Sequence, residues 1–286
     1  MRAGETDETL PLRLVAEPRR PRDARRAKRA AGPTCIGEEE SAHASMTIES
    51  RGRTLDLALD GVGNLAVREG SRLLWRRHVG SAGGAMASTA CSSNGWGVVI
   101  AGHYRHGEDV FDLFSGKKLG PGGVAAYAPD LSYALAPPAF WFGGDCYSWS
   151  RTFRIPTDGS SRPYALATPP VPAAWTCNEA DEPKASATPP SDRPSVAISE
   201  DSARYAISTA RELAVYRASD DVMIARYLRP PYKGYDRTTN DTALAFATTG
   251  DALVLSRSVR GSYDGPTYAA EEHWFTLRAR SPQPPL

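Results

Sequence analysis

No run of 18 apolar residues occurs anywhere in this chain, so an ordinary transmembrane helix is excluded. An excess of one charge sign is also missing. The 34 Lys and Arg against 33 Asp and Glu leave +1, where a dedicated nucleic-acid binder carries a marked basic excess. Cysteine is scarce: Cys35, Cys91, Cys146 and Cys177 show no Cys-x-x-Cys pair and no Cys/His spacing of a zinc finger. Buried free thiols are the expectation for them, with a Cys146–Cys177 bridge as the alternative. Histidine is scarcer relative to catalytic need, since none of the five has an obvious nucleophile partner. There is no Gly-x-Ser-x-Gly elbow and no His-Glu-x-x-His helix, and Ser115-Gly116-Lys117-Lys118 lacks the upstream glycine of a phosphate loop. A secretory signal is absent too, because Leu10–Ala16 is broken by Pro11 and Arg13. The cytoplasm is therefore the default expectation for localisation.

What is present is apolar material for a sizeable core: 41% hydrophobic against 23% charged residues. The 25 Gly and 23 Pro favour many turns over long helices. Residues 1–45, rich in Arg, Pro, Ala and Glu without apolar periodicity, read as a disordered tail. Its basic cluster from Arg19 to Arg29 is the one place where nucleic acid or lipid headgroups would find positive charge. Proline density near 169–194 forbids regular sheet and marks a surface insertion within a single domain spanning 46–280.

Inside that domain one pattern recurs: a short apolar strand, a turn holding Asp or Gly, and a second short apolar strand. It appears as Leu55–Leu59 with Asn64–Val67, and again as Val124–Tyr127 with Tyr133–Leu135. Further copies are Val196–Ile198 with Ala203–Ile207, and Leu244–Phe246 with Ala252–Leu255. Asp and Gly between hydrophobic runs supply positive φ or cap the turn through the side chain. Second hairpins follow, such as Asp109–Phe114 turning through Ser115-Gly116-Lys117. Hairpins recurring at such intervals suggest radial repetition.

Val110-Phe111-Asp112-Leu113-Phe114-Ser115-Gly116-Lys117 resembles the third-strand signature of WD40-type propellers, and Ala126-Tyr127-Ala128-Pro129-Asp130 resembles their first-strand turn. Gly63-Asn64-Leu65-Ala66-Val67 with Leu74-Trp75 is similar to quinoprotein-type repeats. The resemblance implies an all-β, β-propeller-like fold of about five irregular blades, or six or seven if the Pro-rich insertion hides strands. No Gly-His/Trp-Asp pair stands in register, so the WD40 hydrogen-bond tetrad is not carried over. In this reading Met46–Ser50 supplies the outer strand of the last blade and closes the ring.

Two loops stand out as candidate binding elements. One carries His103, Tyr104, His106 and Glu108, the densest titratable cluster; the other carries Trp141, Phe142 and Asp145 beside flexible glycines. Histidines at three-residue spacing hold a metal only on a helix or a specific turn, so no metal, cofactor or catalytic set is expected here. The expected function is a non-enzymatic interaction module or scaffold whose loops on one face bind a protein or peptide. The alternative is a carbohydrate-binding or hydrolytic propeller enzyme using the same face.

Overall fold

The computed structural model describes residues 10–27, 32–37, 44–79, 88–103, 107–124, 126–137, 151–167, 195–209, 212–229, 239–260 and 267–280. All regular structure among them is strand. In chain order these are β1 (Leu12–Glu17), β2 (Thr34–Gly37), β3 (Ala44–Ser50), β4 (Arg53–Leu59), β5 (Asn64–Glu69), β6 (Arg72–His78) and β7 (Ser88–Ser92). There follow β8 (Val98–His103), β9 (Gly107–Asp112), β10 (Lys118–Pro121), β11 (Ala126–Tyr127), β12 (Tyr133–Ala136), β13 (Phe153–Pro156) and β14 (Tyr164–Ala165). The last seven are β15 (Ser195–Ile198), β16 (Arg204–Ser208), β17 (Glu212–Arg217), β18 (Met223–Leu228), β19 (Thr239–Phe246), β20 (Ala252–Arg260) and β21 (Thr267–Ala279). They form five antiparallel sheets of four or five strands. Repeated four-stranded meanders of this kind fit a propeller-like fold. No helix among the described residues is long and apolar enough to cross a membrane.

The chain divides into two compact units, one of residues 1–30, 128–130 and 188–286, the other of 31–127 and 131–187. In the second unit, β3–β6 form a meander whose alternation places Leu55, Leu57, Leu59, Leu65 and Val67 inside. These residues share a core with Val99, Ala101, Phe111 and Leu113 of the sheet β7–β10. The opposite face of that sheet sends Val98, Ile100 and Val110 against Ala134, Ala136 and Ile155 of β11–β14. A sheet covered on both faces needs apolar residues at every position, which is why β8 reads Val98-Val99-Ile100-Ala101 without alternation. The hairpin joining β3 and β4 turns on two residues, Arg51 at φ 52° and Gly52 at φ 71°, as the twist of a tight hairpin requires.

In the first unit, β15–β18 form one meander, and the other sheet runs in the order β1-β21-β20-β19. Leu213, Val215 and Ala206 pack against Leu244, Phe246, Leu253, Leu255, Phe275 and Leu14. Residues after β1 then cross to β19: Ala27 donates its amide to the Phe246 carbonyl at 2.9 Å, and Thr248 to the Arg25 carbonyl at 2.8 Å. Ala24 is buried there with Trp274, over which the Arg20 guanidinium lies.

Several expectations from sequence are corrected here. The segment read as a disordered tail contains β1, paired over six residues with β21, and β2, paired over four with β7. Met46–Ser50 does not complete the last sheet; it is part of β3, the first strand of its own meander, and β1 takes the edge beside β21. Periodicity missed both because a six-residue and a four-residue strand leave no repeating signal within Pro- and Arg-rich surroundings. Cys35 and Cys91 are not free thiols: they are direct partners across the β2/β7 ladder and form a disulfide. Cys146, Cys177 and the Pro-rich stretch lie outside the described residues.

Candidate functional site

The two candidate loops are placed by equivalent strands. One joins β8 to β9 and the other β12 to β13, each the second and third strand of its meander. Neighbouring turns at the other end of these sheets are bonded to each other. The Trp96 indole donates to the Leu131 carbonyl at 2.8 Å, and the Gly97 amide donates to the Thr157 carbonyl at 2.8 Å. Thr157 itself donates through Oγ1 to the Leu131 carbonyl at 2.7 Å. From that tied end β8 and β12 both run toward the opposite end of the packed sheets.

The side chains at the described margins of the site are more engaged than a wet loop requires. His103 is the last residue of β8, opposite Ser88 and Gly107, and only 2% exposed. The expectation of an exposed loop histidine is corrected: strand β8 runs to its end with every residue buried. Glu108 is half-buried on β9. Its carboxylate accepts the Gly123 amide at 3.1 Å, its backbone carbonyl accepts the Gly122 amide at 2.6 Å, and Thr89 approaches the carboxylate at 3.5 Å. Glu108 therefore pins the chain leaving β10. Gly102 allows the close approach of β8 and β9, since a Cβ there would stand 2.2 Å from the Gly107 carbonyl oxygen. Tyr104, His106, Trp141, Phe142 and Asp145 lie outside the described residues. Among the described residues no group of three His, Cys, Asp or Glu side chains is placed to hold a metal ion.

At the same end as the β8–β9 connection within its own meander stands the β4–β5 turn. Asp60 accepts the amides of Asn64 at 2.8 Å and Val62 at 3.2 Å, and pairs with Arg76. Desolvation acts against the charged carboxylate, but the hydrogen bonds from Asn64, Val62 and Arg76 overcome it and hold the pKa down to about 2. The Asp60 carboxylate stays ionised over the whole physiological range.

Two arrangements were not legible in the sequence. At the tied end, the guanidinium groups of Arg51 and Arg53 both lie over the Phe114 ring, at 5.0 and 4.8 Å from its centroid. Arg51 also donates to the Asp158 carbonyl at 2.9 Å, and Arg53 grips Glu69 through two hydrogen bonds. In the other unit Glu212, 4% exposed, accepts from Arg226 Nε at 2.7 Å. Tyr216, two positions further along the same face after Ala214, has a buried hydroxyl without a hydrogen-bond partner among the described residues. Burial first, and then the Glu212 charge, push that phenol well above its ordinary range. Glu and Arg on adjacent strands carry no sequence spacing that marks them as partners; only the ladder register brings them together.

No family model matches the chain, and no curated protein matches it. Among solved structures, the chain is similar to a crystal structure of Kluyvelomyces marxianus Hsv2, at 12% identity and a TM-score of 0.35. That match covers 75% of this chain and 60% of the other, so this chain spans less than two thirds of it. It is also similar to KlHsv2 with loop 6CD replaced by a Gly-Ser linker, at 11% identity and a TM-score of 0.32, covering 79% and 81% of the two chains. Both likenesses are weak.

Proposed function

We propose that the chain is a cytoplasmic, non-enzymatic β-propeller interaction module that binds a protein or peptide through the loops following β8 and β12. The observation that carries this reading is that β8 and β12 run the same way from a tied end in sheets packed through Val98, Ile100, Val110, Ala134, Ala136 and Ile155. Loops that follow the strands of packed sheets are where binding residues are commonly carried. Aromatic side chains bring large contact area at low entropic cost, so Trp141 and Phe142 are the proposed anchors, with Tyr104, His106 and Asp145 as polar contacts. His103 and Glu108 act from behind: the first fills the end of β8, and the second holds Gly122 and Gly123 in place.

The test compares the wild type with Trp141→Ala and His106→Ala as baits, using quantitative mass spectrometry of co-purified proteins. A partner retained by the wild type and lost several-fold by both variants, at unchanged melting temperature, is the expected result. Identical protein sets for all three baits refute the assignment. Loss of a glycan-array signal in the same variants, with no protein partner, transfers the site to the carbohydrate reading.

A further inference from the structure

Among the described residues, four of the five sheets contain four strands; the sheet of β7–β10 has a fifth, β2, which comes from outside its meander. It lies beside β7, the first strand of its own meander, and pairs Thr34–Gly37 with Ser92–Thr89. The segment thus occupies a sheet edge that would otherwise present unpaired amides and carbonyls. Its hold on that edge has few parts. Among the described residues Ile36 enters the core, beside Ala90, Val99 and the leucines of β4, and Pro33 just before the strand is buried, while Thr34, Cys35 and Gly37 are exposed. The remaining tie is covalent, the disulfide from Cys35 to buried Cys91. A reductant can therefore reach the bond from the Cys35 side without opening the core. Disulfides that are reachable from solvent are the labile and regulatory class, and in cytosolic proteins such bonds are transient and redox-sensing.

We propose that β2 is a latched strap, that a dithiol reductant unlatches it, and that the uncovered β7 edge then takes up an extended peptide as an added strand. In the unlatching step a dithiol's thiolate attacks the sulfur of the exposed residue Cys35, and Cys91 departs as thiolate. The reductant's second thiol then displaces Cys35. Two electrons and two protons pass to the protein, leaving Cys35 and Cys91 as thiols and the dithiol as its disulfide. The occupant has the chemistry of β2 itself: an extended segment with one β-branched aliphatic residue between short side chains. Backbone hydrogen bonds to Thr89–Ser92 supply affinity, and the site vacated by Ile36 supplies selectivity. At the position of Gly37 a Cβ would meet Thr89 Cγ2 at 3.5 Å and the Ser88 carbonyl oxygen at 3.7 Å, both ordinary contacts, so glycine is not demanded of the incoming segment.

The reduced strap remains tethered through the backbone and competes with an added peptide at high local concentration. The experiment uses full-length protein and a fluorescein-labelled synthetic peptide of residues 30–39 carrying Cys35→Ser, followed by anisotropy. Peptide mapping after thiol alkylation assigns the bond before and after dithiothreitol. The oxidised protein is expected not to bind, the reduced protein to bind saturably, and the double variant Cys35→Ser/Cys91→Ser to bind without reductant. Adding Ile36→Asp to that variant unseats the competing strap and tightens binding about ten-fold. A peptide carrying Ile36→Asp is expected to fail against every form. Equal binding by oxidised and reduced protein, or none by the reduced protein and both variants, overturns the proposal. So does alkylation of Cys35 and Cys91 without reductant, or failure of the double serine variant to fold, since a strap needed for folding is not a switch.

Discussion

Leu14 sits on β1, in a stretch whose Arg- and Pro-rich surroundings read as disorder, yet it is 1% exposed among Phe246, Leu253, Leu255 and Phe275. Truncating it to alanine removes three buried carbon atoms and leaves a cavity whose walls are held by two sheets. Leucine-to-alanine changes at such sites cost about 2–5 kcal/mol, and about 3 is expected here because the strand itself can shift slightly on the sheet edge. At about 2–4 °C per kcal/mol for a unit of this size, the melting temperature of the unit containing β1 falls by roughly 6–12 °C. Arg13 is the internal control: the residue is exposed at the preceding position of the same strand, and Arg13→Ala should stay within about 0.5 kcal/mol of wild type. Differential scanning calorimetry measures both, with the fluorescence of Trp274, buried in the same unit, as a second probe. If Leu14→Ala melts within a degree of Arg13→Ala, β1 is not docked and the pairing of Leu12–Glu17 with β21 is wrong.

Gly116, at φ +65°, places its α-carbon so close to Trp75 that a Cβ would stand 2.5 Å from the indole Cδ2. Gly116→Ala is therefore expected to cost about 1–3 kcal/mol in urea unfolding and to shift Trp75 emission, and an unchanged midpoint would count against the packing. The depressed pKa of Asp60 contributes stability that is complete above its ordinary value of 3.8 and is lost as pH falls toward about 2. Urea midpoints across that window should fall more steeply for the wild type than for Asp60→Asn; parallel curves would refute the hydrogen-bonded turn. Glu212→Ala strands the Arg226 charge and is expected to cost about 3–5 kcal/mol, with Glu212→Gln milder. Chemical denaturation giving less than about 1 kcal/mol for the alanine variant would show that the pair is not buried.

Much of the strand content was legible residue by residue. Asp109–Phe114 turning through Ser115-Gly116-Lys117 read as a hairpin, and Asp112 does cap its turn, accepting the Ser115 amide at 2.7 Å and the Phe114 amide at 3.2 Å. The hairpins of Val196–Ile207 and Leu244–Leu255 were equally plain, and both pair as read. The repeat was read out of phase at one point. Leu55–Leu59 with Asn64–Val67 is the second and third strands of its meander, whereas the other three copies are first hairpins. A hairpin motif records a turn and two apolar runs, and carries no mark of its place in a sheet. At the described margins of the candidate site, the burial of His103 and the grip of Glu108 on Gly122 and Gly123 were not legible in the sequence. Those depend on which strand runs beside them.

The sequence by itself determined an all-β chain of short strands and tight turns, because side-chain alternation and glycine or aspartate at turns act over a few neighbouring residues. The tertiary structure alone decided that Leu12–Glu17 pairs with Thr276 and its neighbours more than 250 residues away, that Cys35 meets Cys91, and that Glu212 meets Arg226. The physical reason is that an edge strand is stabilised by the ladder and the core it joins. A four- or six-residue segment has too little propensity or periodicity of its own to announce them.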